Sequence, residues 1–422
     1  MNDFWRYILF IIVINITLIL ANEKYQSIDY NSMSNYVKLS KLELIDTNFI
    51  TNSYMLSFDF IFNQYKDSIY YINSNLLSDG TNTFYLLGKV GSHQQTKIIC
   101  DTNIKFYMAK SFALNNKNLY LLNYRNLFIF RKNGNDYLFE RNIELTDGME
   151  NIYIYDDKII GYSNNFFDPI KDTTDVPYAF YNVIDLETNK EAIHSLGIQP
   201  TSIFTIYQPR NLIDAFADKI AIIDAVGDSI AFKIHNIETE TTINYKYKPN
   251  YWIPSSYETI GDLNRFFTPY YRKNVKSAIE SLRPLMQKIS FVSKVNFIND
   301  STLLILATHP KKDFKYIYDF VYTMDIVTFT STGITKIKHL SQNEENTDEP
   351  IGKNFPESWY ISDSYHFCNN NLIFIKDVPP VEIEDIYNYT PKELKEKTAE
   401  YLEKNDKLPF QFIILKITNI DD

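Results

Sequence analysis

One unit recurs along this chain and narrows its fold more than any other feature: a β-run, a short turn carrying Asn or Asp, then a second apolar β-run. It occurs at Lys66-Asp67-Ser68 before Ile69-Tyr70-Tyr71-Ile72, and at Asn116-Lys117-Asn118 before Leu119-Tyr120-Leu121-Leu122. Asp156-Asp157-Lys158 before Ile159-Ile160-Gly161-Tyr162 and Asp218-Lys219 before Ile220-Ala221-Ile222-Ile223 continue it. Asn299-Asp300-Ser301 before Thr302-Leu303-Leu304-Ile305-Leu306 and Asn369-Asn370-Asn371 before Leu372-Ile373-Phe374-Ile375 complete the series. Self-similarity at a fixed period marks an array of equivalent supersecondary units.

A second signature follows most copies. Ile184-Asp185-Leu186-Glu187-Thr188 and His235-Asn236-Ile237-Glu238-Thr239 hold the same place in consecutive units, each ahead of a final β-run. Arg131-Lys132-Asn133-Gly134-Asn135 and Thr330-Ser331-Thr332-Gly333 fill that slot elsewhere. Asn-Gly between β-runs is a strong hairpin signal. Each unit therefore reads as four antiparallel strands, A to D, and the expected fold is all-β: a six-bladed β-propeller of four-stranded blades. The expected blades span residues 48–103, 104–147, 148–200, 210–249, 287–340 and 357–418. The last is one strand short, since Phe410 to Ile417 is its third strand and the chain ends soon after. The spare strand at Tyr36 to Asp46 is expected to close it, removing two exposed edges.

Composition supports this reading and excludes others. Tyr (33) and Phe (30) are abundant and suit pleated surfaces. Only 11 glycines occur, which argues against collagen, Gly-rich β-helices and Gly-rich nucleotide folds and leaves the turns to Asn and Asp. Net charge is −10 with no basic face, so nucleic acid is not an expected partner. Residues 1–21 read as a signal peptide or, failing cleavage, an N-terminal anchor: Arg6 precedes a run from Tyr7 to Ala21 that is short for a spanning helix. Membrane contact is expected only through that segment. Residues 22–422 form the single propeller domain, and the expected location is extracytoplasmic, periplasmic or secreted. The two cysteines, Cys100 and Cys368, do not make a disulfide framework; two buried thiols are expected, with a single bridge as the alternative.

The pattern resembles the six-bladed, TolB-like propellers of exported bacterial proteins, many of them without assigned function. The resemblance covers nearly all of the mature chain but lies in the repeat rather than in a motif. Trp-Asp blade endings, kelch glycine pairs, Tyr-Trp-Thr-Asp repeats and Asp-boxes are absent, so no family site residue transfers.

The insertions are unevenly placed. The A–B and C–D turns are short, whereas long segments fall in B–C positions (163–177, 308–316, 378–409) and D–A crossings (198–210, 250–287, 341–356). In a four-stranded blade these two sets lie on opposite faces, so one face is trimmed and the other elaborated, and loops on a rigid scaffold are where binding groups collect. Two insertions read as helical. Thr268-Pro269 opens one with Val275, Ala278, Ile279 and Leu282 as its stripe; Thr390-Pro391-Lys392-Glu393 opens the other with Leu394, Tyr401 and Leu402.

Catalytic motifs are missing: no His-Glu-x-x-His helix, Gly-x-Ser-x-Gly elbow or phosphate loop occurs, and no metal or cofactor is expected. The acidic stretch Glu344 to Glu349 reads as a solvated loop. Recognition candidates are Tyr251, Trp252, Tyr270, Tyr271 and Arg272 in one insertion, Arg210 and Trp359 in other crossings, and His309 after the fifth B strand. Their alternative role is to bury the insertions themselves. The expected function is a monomeric, non-catalytic binding or scaffold propeller that engages a protein or glycan through its elaborated face. The alternative is a glycan hydrolase or lyase with acid and base groups at the channel mouth.

Overall fold

The computed structural model describes residues 26–28, 38–39, 42–49, 60–73, 77–78, 82–90, 92, 95–101, 106, 108–123, 125–146, 148–164, 178–198, 212–224, 227–254, 288–310, 320–340, 365–368, 370–377 and 410–417. Every regular element among them is a β-strand. Three N-terminal strands come first: β1 (Gln26–Ile28), β2 (Lys38–Leu39) and β3 (Leu42–Phe49). A meander follows of β4 (Phe60–Tyr65), β5 (Ser68–Asn73), β6 (Leu77–Ser78), β7 (Thr83–Lys89) and β8 (Gln95–Ile99). The next holds β9 (Ser111–Leu114), β10 (Asn118–Asn123), β11 (Asn126–Asn133) and β12 (Asp136–Glu144). Then come β13 (Asn151–Tyr155), β14 (Lys158–Asn164), β15 (Tyr178–Asp185) and β16 (Lys190–Ile198). After these run β17 (Ile213–Phe216), β18 (Lys219–Ile223), β19 (Ile230–Asn236) and β20 (Thr241–Tyr247). The next four are β21 (Phe291–Asn299), β22 (Thr302–Pro310), β23 (Phe320–Thr330) and β24 (Gly333–Leu340). The chain ends on β25 (Tyr365–Cys368), β26 (Asn371–Asp377) and β27 (Phe410–Ile417).

The antiparallel four-strand order expected from the repeat is present throughout these meanders. The first two are joined into one sheet by a short parallel pairing of β8 with β12, at Ile98 opposite Tyr137 and Ile99 opposite Leu138. The last sheet has the order β25-β26-β27-β3, so an N-terminal strand does complete it. That strand is Leu42–Phe49 rather than Tyr36 to Asp46, with Ile417 opposite Leu42 and Gln411 opposite Phe49. The shift also removes residues 48 and 49 from the first expected blade.

Sequence reading missed β1 and took residues 38 and 39 as part of the closing strand, whereas they form β2. β1 pairs in parallel with β20, and β2 in parallel with β24. One N-terminal segment thus runs along the outer edges of two successive sheets before completing a third. Edge strands carry unpaired backbone groups, and each addition satisfies some of them.

The turns follow local chemistry. Asp156 and Asp157 both have positive φ (47° and 58°) between Tyr155 and Lys158, the pattern of a two-residue type I′ hairpin. Asp185 explains its repeated signature: its Oδ1 accepts the amide N–H groups of Glu187 and Thr188, each at 2.9 Å. Asn236 accepts Thr239 N–H at 2.8 Å in the equivalent turn. Asn and Asp do not fill every positive-φ position, however, because Lys66, Ala217 and Glu240 also adopt it (55°, 51° and 54°).

Packing between sheets divides each inner strand by alternate residues. On β10, Leu119 and Leu121 face the β4–β8 meander, while Tyr120 and Leu122 face β13–β16. On β18, Ala221 and Ile223 join the cluster with β21–β24, while Ile220 and Ile222 join Ile160, Tyr162 and Tyr181. Strands buried on both faces read as continuous apolar runs, which is why these lack polar alternation. Interior close approach accounts for some of the few glycines: a Cβ on Gly88 would fall 2.0 Å from Tyr71 Cζ. Cys100 and Cys368 are free, buried thiols in different clusters, which rules out the single bridge. Burial pushes each thiol up to about 12. The expected helices at 268–284 and 390–402, the leader at 1–21 and the acidic stretch at 344–349 lie outside the described residues.

Two predictions follow from the strand edges and turns. Ala217→Gly relieves a β-carbon from left-handed backbone and is expected to stabilise the protein by about 0.5–1 kcal/mol in urea unfolding. Deleting residues 42–49 exposes the β27 edge; calorimetry should show a lower Tm, and light scattering concentration-dependent association.

Candidate functional site

The best-defined polar cluster lies where β17–β20 meets β21–β24, beside the start of the 250–287 insertion. β23 carries Asp325 between Met324 and Ile326, and all three are essentially without solvent exposure. The Asp325 carboxylate faces the neighbouring sheet, where Oδ2 accepts hydrogen bonds from Tyr247 at 2.9 Å and from Tyr251 at 2.8 Å. Tyr247 ends β20, and Tyr251 lies four residues later in the segment leaving it. The Tyr251 ring stacks on His309 with centroids 4.7 Å apart and planes at 24°. His309 Nε2 lies 3.3 Å from Thr323 Oγ1.

Burial dominates the electrostatics. Desolvation raises Asp325 to about 7 even though both phenols, by donating to the carboxylate, pull it down. His309 shifts below its ordinary value because burial disfavours the imidazolium. Near neutral pH the cluster therefore holds a carboxyl poised between its two states beside a neutral imidazole.

The same residues anchor the insertion. Trp252 is 4% exposed, and its Nε1 donates to Gly227 O at 3.1 Å. Ile253 N–H donates to Ser290 Oγ at 2.9 Å, and Ser290 N–H returns a bond to Ile253 O at 3.3 Å. The two ends of the insertion are thus tied to each other, forming a neck, and the entry side is held to β23 through Asp325.

Of the sequence candidates, the structure brings Tyr251 and His309 into contact and places Trp252 beside them with its ring in the core. Arg210, Tyr270, Tyr271, Arg272 and Trp359 lie outside the described residues. Sequence reading passed over Asp325 and Tyr247. The available signal was a lone carboxylate inside the apolar run of β23, where a buried charge needs partners.

A second carboxylate, the half-buried Asp214 on β17, joins three sheets. Its Oδ1 accepts Tyr162 OH from β14 at 3.0 Å, and its Oδ2 accepts Phe297 N–H from β21 at 2.7 Å. Desolvation raises it to about 6 against these bonds. A carboxyl with a raised folded pKa takes up its proton more readily in the folded state, so its contribution to stability falls as pH rises from about 4 to 6 and is flat above. The unfolding free energy of the wild type minus that of Asp214→Asn should therefore decline by about 2–3 kcal/mol between pH 4 and 7, measured by urea titration. A pH-independent difference would contradict this assignment.

No protein family matches the chain, and no curated protein matches it significantly. Solved structures do. The chain is similar to a Bacteroides fragilis protein described as exported, with a TM-score of 0.51 at 10% identity, covering 94% of this chain and 100% of that one. Hydrazine synthase from Kuenenia stuttgartiensis gives 0.41 at 9% identity over 85% and 86% of the two chains. The extracellular domain of a one-component system from B. thetaiotaomicron gives 0.36 at 8% identity, over 80% of this chain and 39% of that one. The first of these shows a shared fold and nothing of activity.

Proposed function

We propose that the chain is an exported six-bladed β-propeller that binds a protein or glycan partner through the face bearing its long insertions, with no catalysis of its own. The ring reading is supported by packing from one meander to the next: β4 against β9, β9 against β13, β14 against β17, and β17 against β21. β25 meets β4 at the other end, where Cys368 and Ile373 join Phe60, Tyr71 and Phe84. Between β24 and β27 the link is the N-terminal segment, since β2 ends at Leu39 and β3 begins at Leu42. So short a connection keeps Leu39 and Leu42 within about 11 Å of one another, and with them the two sheets they join. Lys294 of β21 also sits close enough to His366 of β25 to disfavour its protonated form. Export is supported by residues 1–21, which read as a leader, and by a shared fold with a protein described as exported.

The observation that carries the binding reading is the pinned neck. An insertion tied at its base by Ile253 and Ser290, and held to the next sheet by Tyr251 and Asp325, presents its residues from a fixed point. Preorganisation of this kind raises affinity by lowering the ordering cost of association. The test is affinity capture from envelope and culture medium with the chain from residue 22 as bait. A control bait has 255–287 and 381–409 replaced by short turns, keeping Tyr251 to Ile253 and Ser290. Capture by the intact bait and loss by the control is the expected result. Equal capture by both, or none by a folded intact bait, would overturn the reading.

A further inference from the structure

We propose that Asn133-Gly134, at the tip of the β11–β12 hairpin, is a self-modifying site. The chain converts Asn133 through a cyclic imide into aspartate and isoaspartate, and the new carboxylate loosens the β8–β12 pairing that joins the first two sheets. It is the one Asn-Gly pair in the sequence. β11 ends at Asn133 and β12 begins at Asp136, with these two residues opposite each other, so Gly134 and Asn135 form a two-residue loop. Gly134 holds φ 60° at the first loop position, the type II′ arrangement. Asn133, Gly134 and Asn135 are all exposed, and a Cβ placed on Gly134 would meet nothing within 4 Å. Among the described residues, neither the Gly134 N–H nor the Asn133 side chain makes a hydrogen bond.

Other turn asparagines differ on both counts. Asn115 Oδ1 accepts the Lys117 and Asn118 N–H groups at 2.9 and 2.7 Å, Asn236 Oδ1 accepts Thr239 N–H at 2.8 Å, and Asn299 Oδ1 accepts Ser301 N–H at 3.0 Å. Each is also followed by a residue whose side chain crowds ring closure: Asn116, Ile237 and Asp300. At Asn133 the amide is free to turn towards the next nitrogen. The Gly134 nitrogen gives its proton to hydroxide and bonds to Cγ, the Cγ–Nδ2 bond breaks, and ammonia leaves. Water then opens the imide at Cγ, giving aspartate, or at the backbone carbonyl carbon, giving isoaspartate with one more carbon in the main chain. Both products add a carboxylate opposite Asp136, and like charges across a strand pair repel. Asp136 Oδ1 accepts Lys97 N–H from β8 at 3.3 Å, one residue before the pairing of Ile98 with Tyr137, so the repulsion bears on the joint between the sheets.

The test incubates the folded full chain at pH 7 and pH 8, beside a peptide of residues 130–137 as the unstructured reference. Peptide mapping should show a mass gain of about 1 Da on the fragment holding Asn133, with isoaspartate at that residue. The rate should be about tenfold higher at pH 8, since the reactive nitrogen anion scales with hydroxide. An intact Asn133 in the folded chain once the peptide has converted overturns the proposal. Equal conversion at Asn115 or Asn236 does the same. Asn133→Gln, whose longer side chain closes a ring poorly, should abolish the gain; a gain that persists belongs to Asn135 and overturns the assignment. Asn133→Asp then mimics the added charge. Hydrogen–deuterium exchange at the Lys97 amide should quicken by up to about fivefold over the wild type at neutral pH. Unchanged exchange there overturns the link to the joint between the sheets.

Discussion

Burial of each inner strand on both faces is the constraint on which the rest depends. β10 and β18 hand alternate residues to two different neighbours, and β22 does the same, with Leu303, Ile305 and Ala307 in one cluster and Leu304 and Leu306 on the opposite face. A meander built this way has no hydrophobic face that it can cover alone. Its burial comes from the sheets before and after it, as in other stacked-repeat architectures. The ends of such an array are its weak points, since the first and last members would each leave an apolar face and a strand edge in water. Completing the last sheet with β3 removes one edge by joining the two ends of the chain.

Two carboxyls at these interfaces bridge sheets. Asp214 takes donors from the sheets on either side, and Asp325 takes two from the sheet before it. Each bond fixes a relative position that apolar contacts leave degenerate, because burial is non-directional. The desolvation that makes such bonds strong also pushes both carboxyls upward, while His235, His309 and His366 are pushed downward, the last to about 3. The signs oppose. The carboxyls lose stabilising influence as pH climbs from about 4 towards 7, and the histidines lose theirs as pH falls below about 6.5. Interior titration thus balances in mildly acidic to neutral conditions.

Features that rest on local chemistry were legible in the sequence. Hairpin turns came from Asn, Asp and Gly spacing, and β27 was read at its exact bounds because an apolar run flanked by Pro409 and Thr418 has clear ends. β1 was not legible, and β2 was absorbed into the closing strand, since strands of three and two residues carry no period and owe their existence to the edge they pair with. The closing strand slipped for a related reason: the register is set by β27, not by anything within Tyr36 to Phe49. Ala217 and Glu240 in left-handed backbone show tertiary context overriding residue preference. At the site, aromatic crowding pointed to Tyr251 and Trp252. Asp325 remained hidden inside a run that read as a buried strand, because sequence does not show which neighbour supplies its donors.

The neck separates two demands that a recognition loop ordinarily confounds. Trp252 and Ile289 belong to the core cluster, and Tyr247 and Tyr251 are tied to it through Asp325, so residues up to 254 and from 288 onward answer to packing. The segment between them leaves and re-enters through a base closed by the Ile253–Ser290 pair. A surface free to vary in sequence while its anchor stays fixed is what loops on a rigid scaffold provide. The anchor itself turns on one buried carboxyl, Asp325, which ties the end of β20 and the entry side of the insertion to β23.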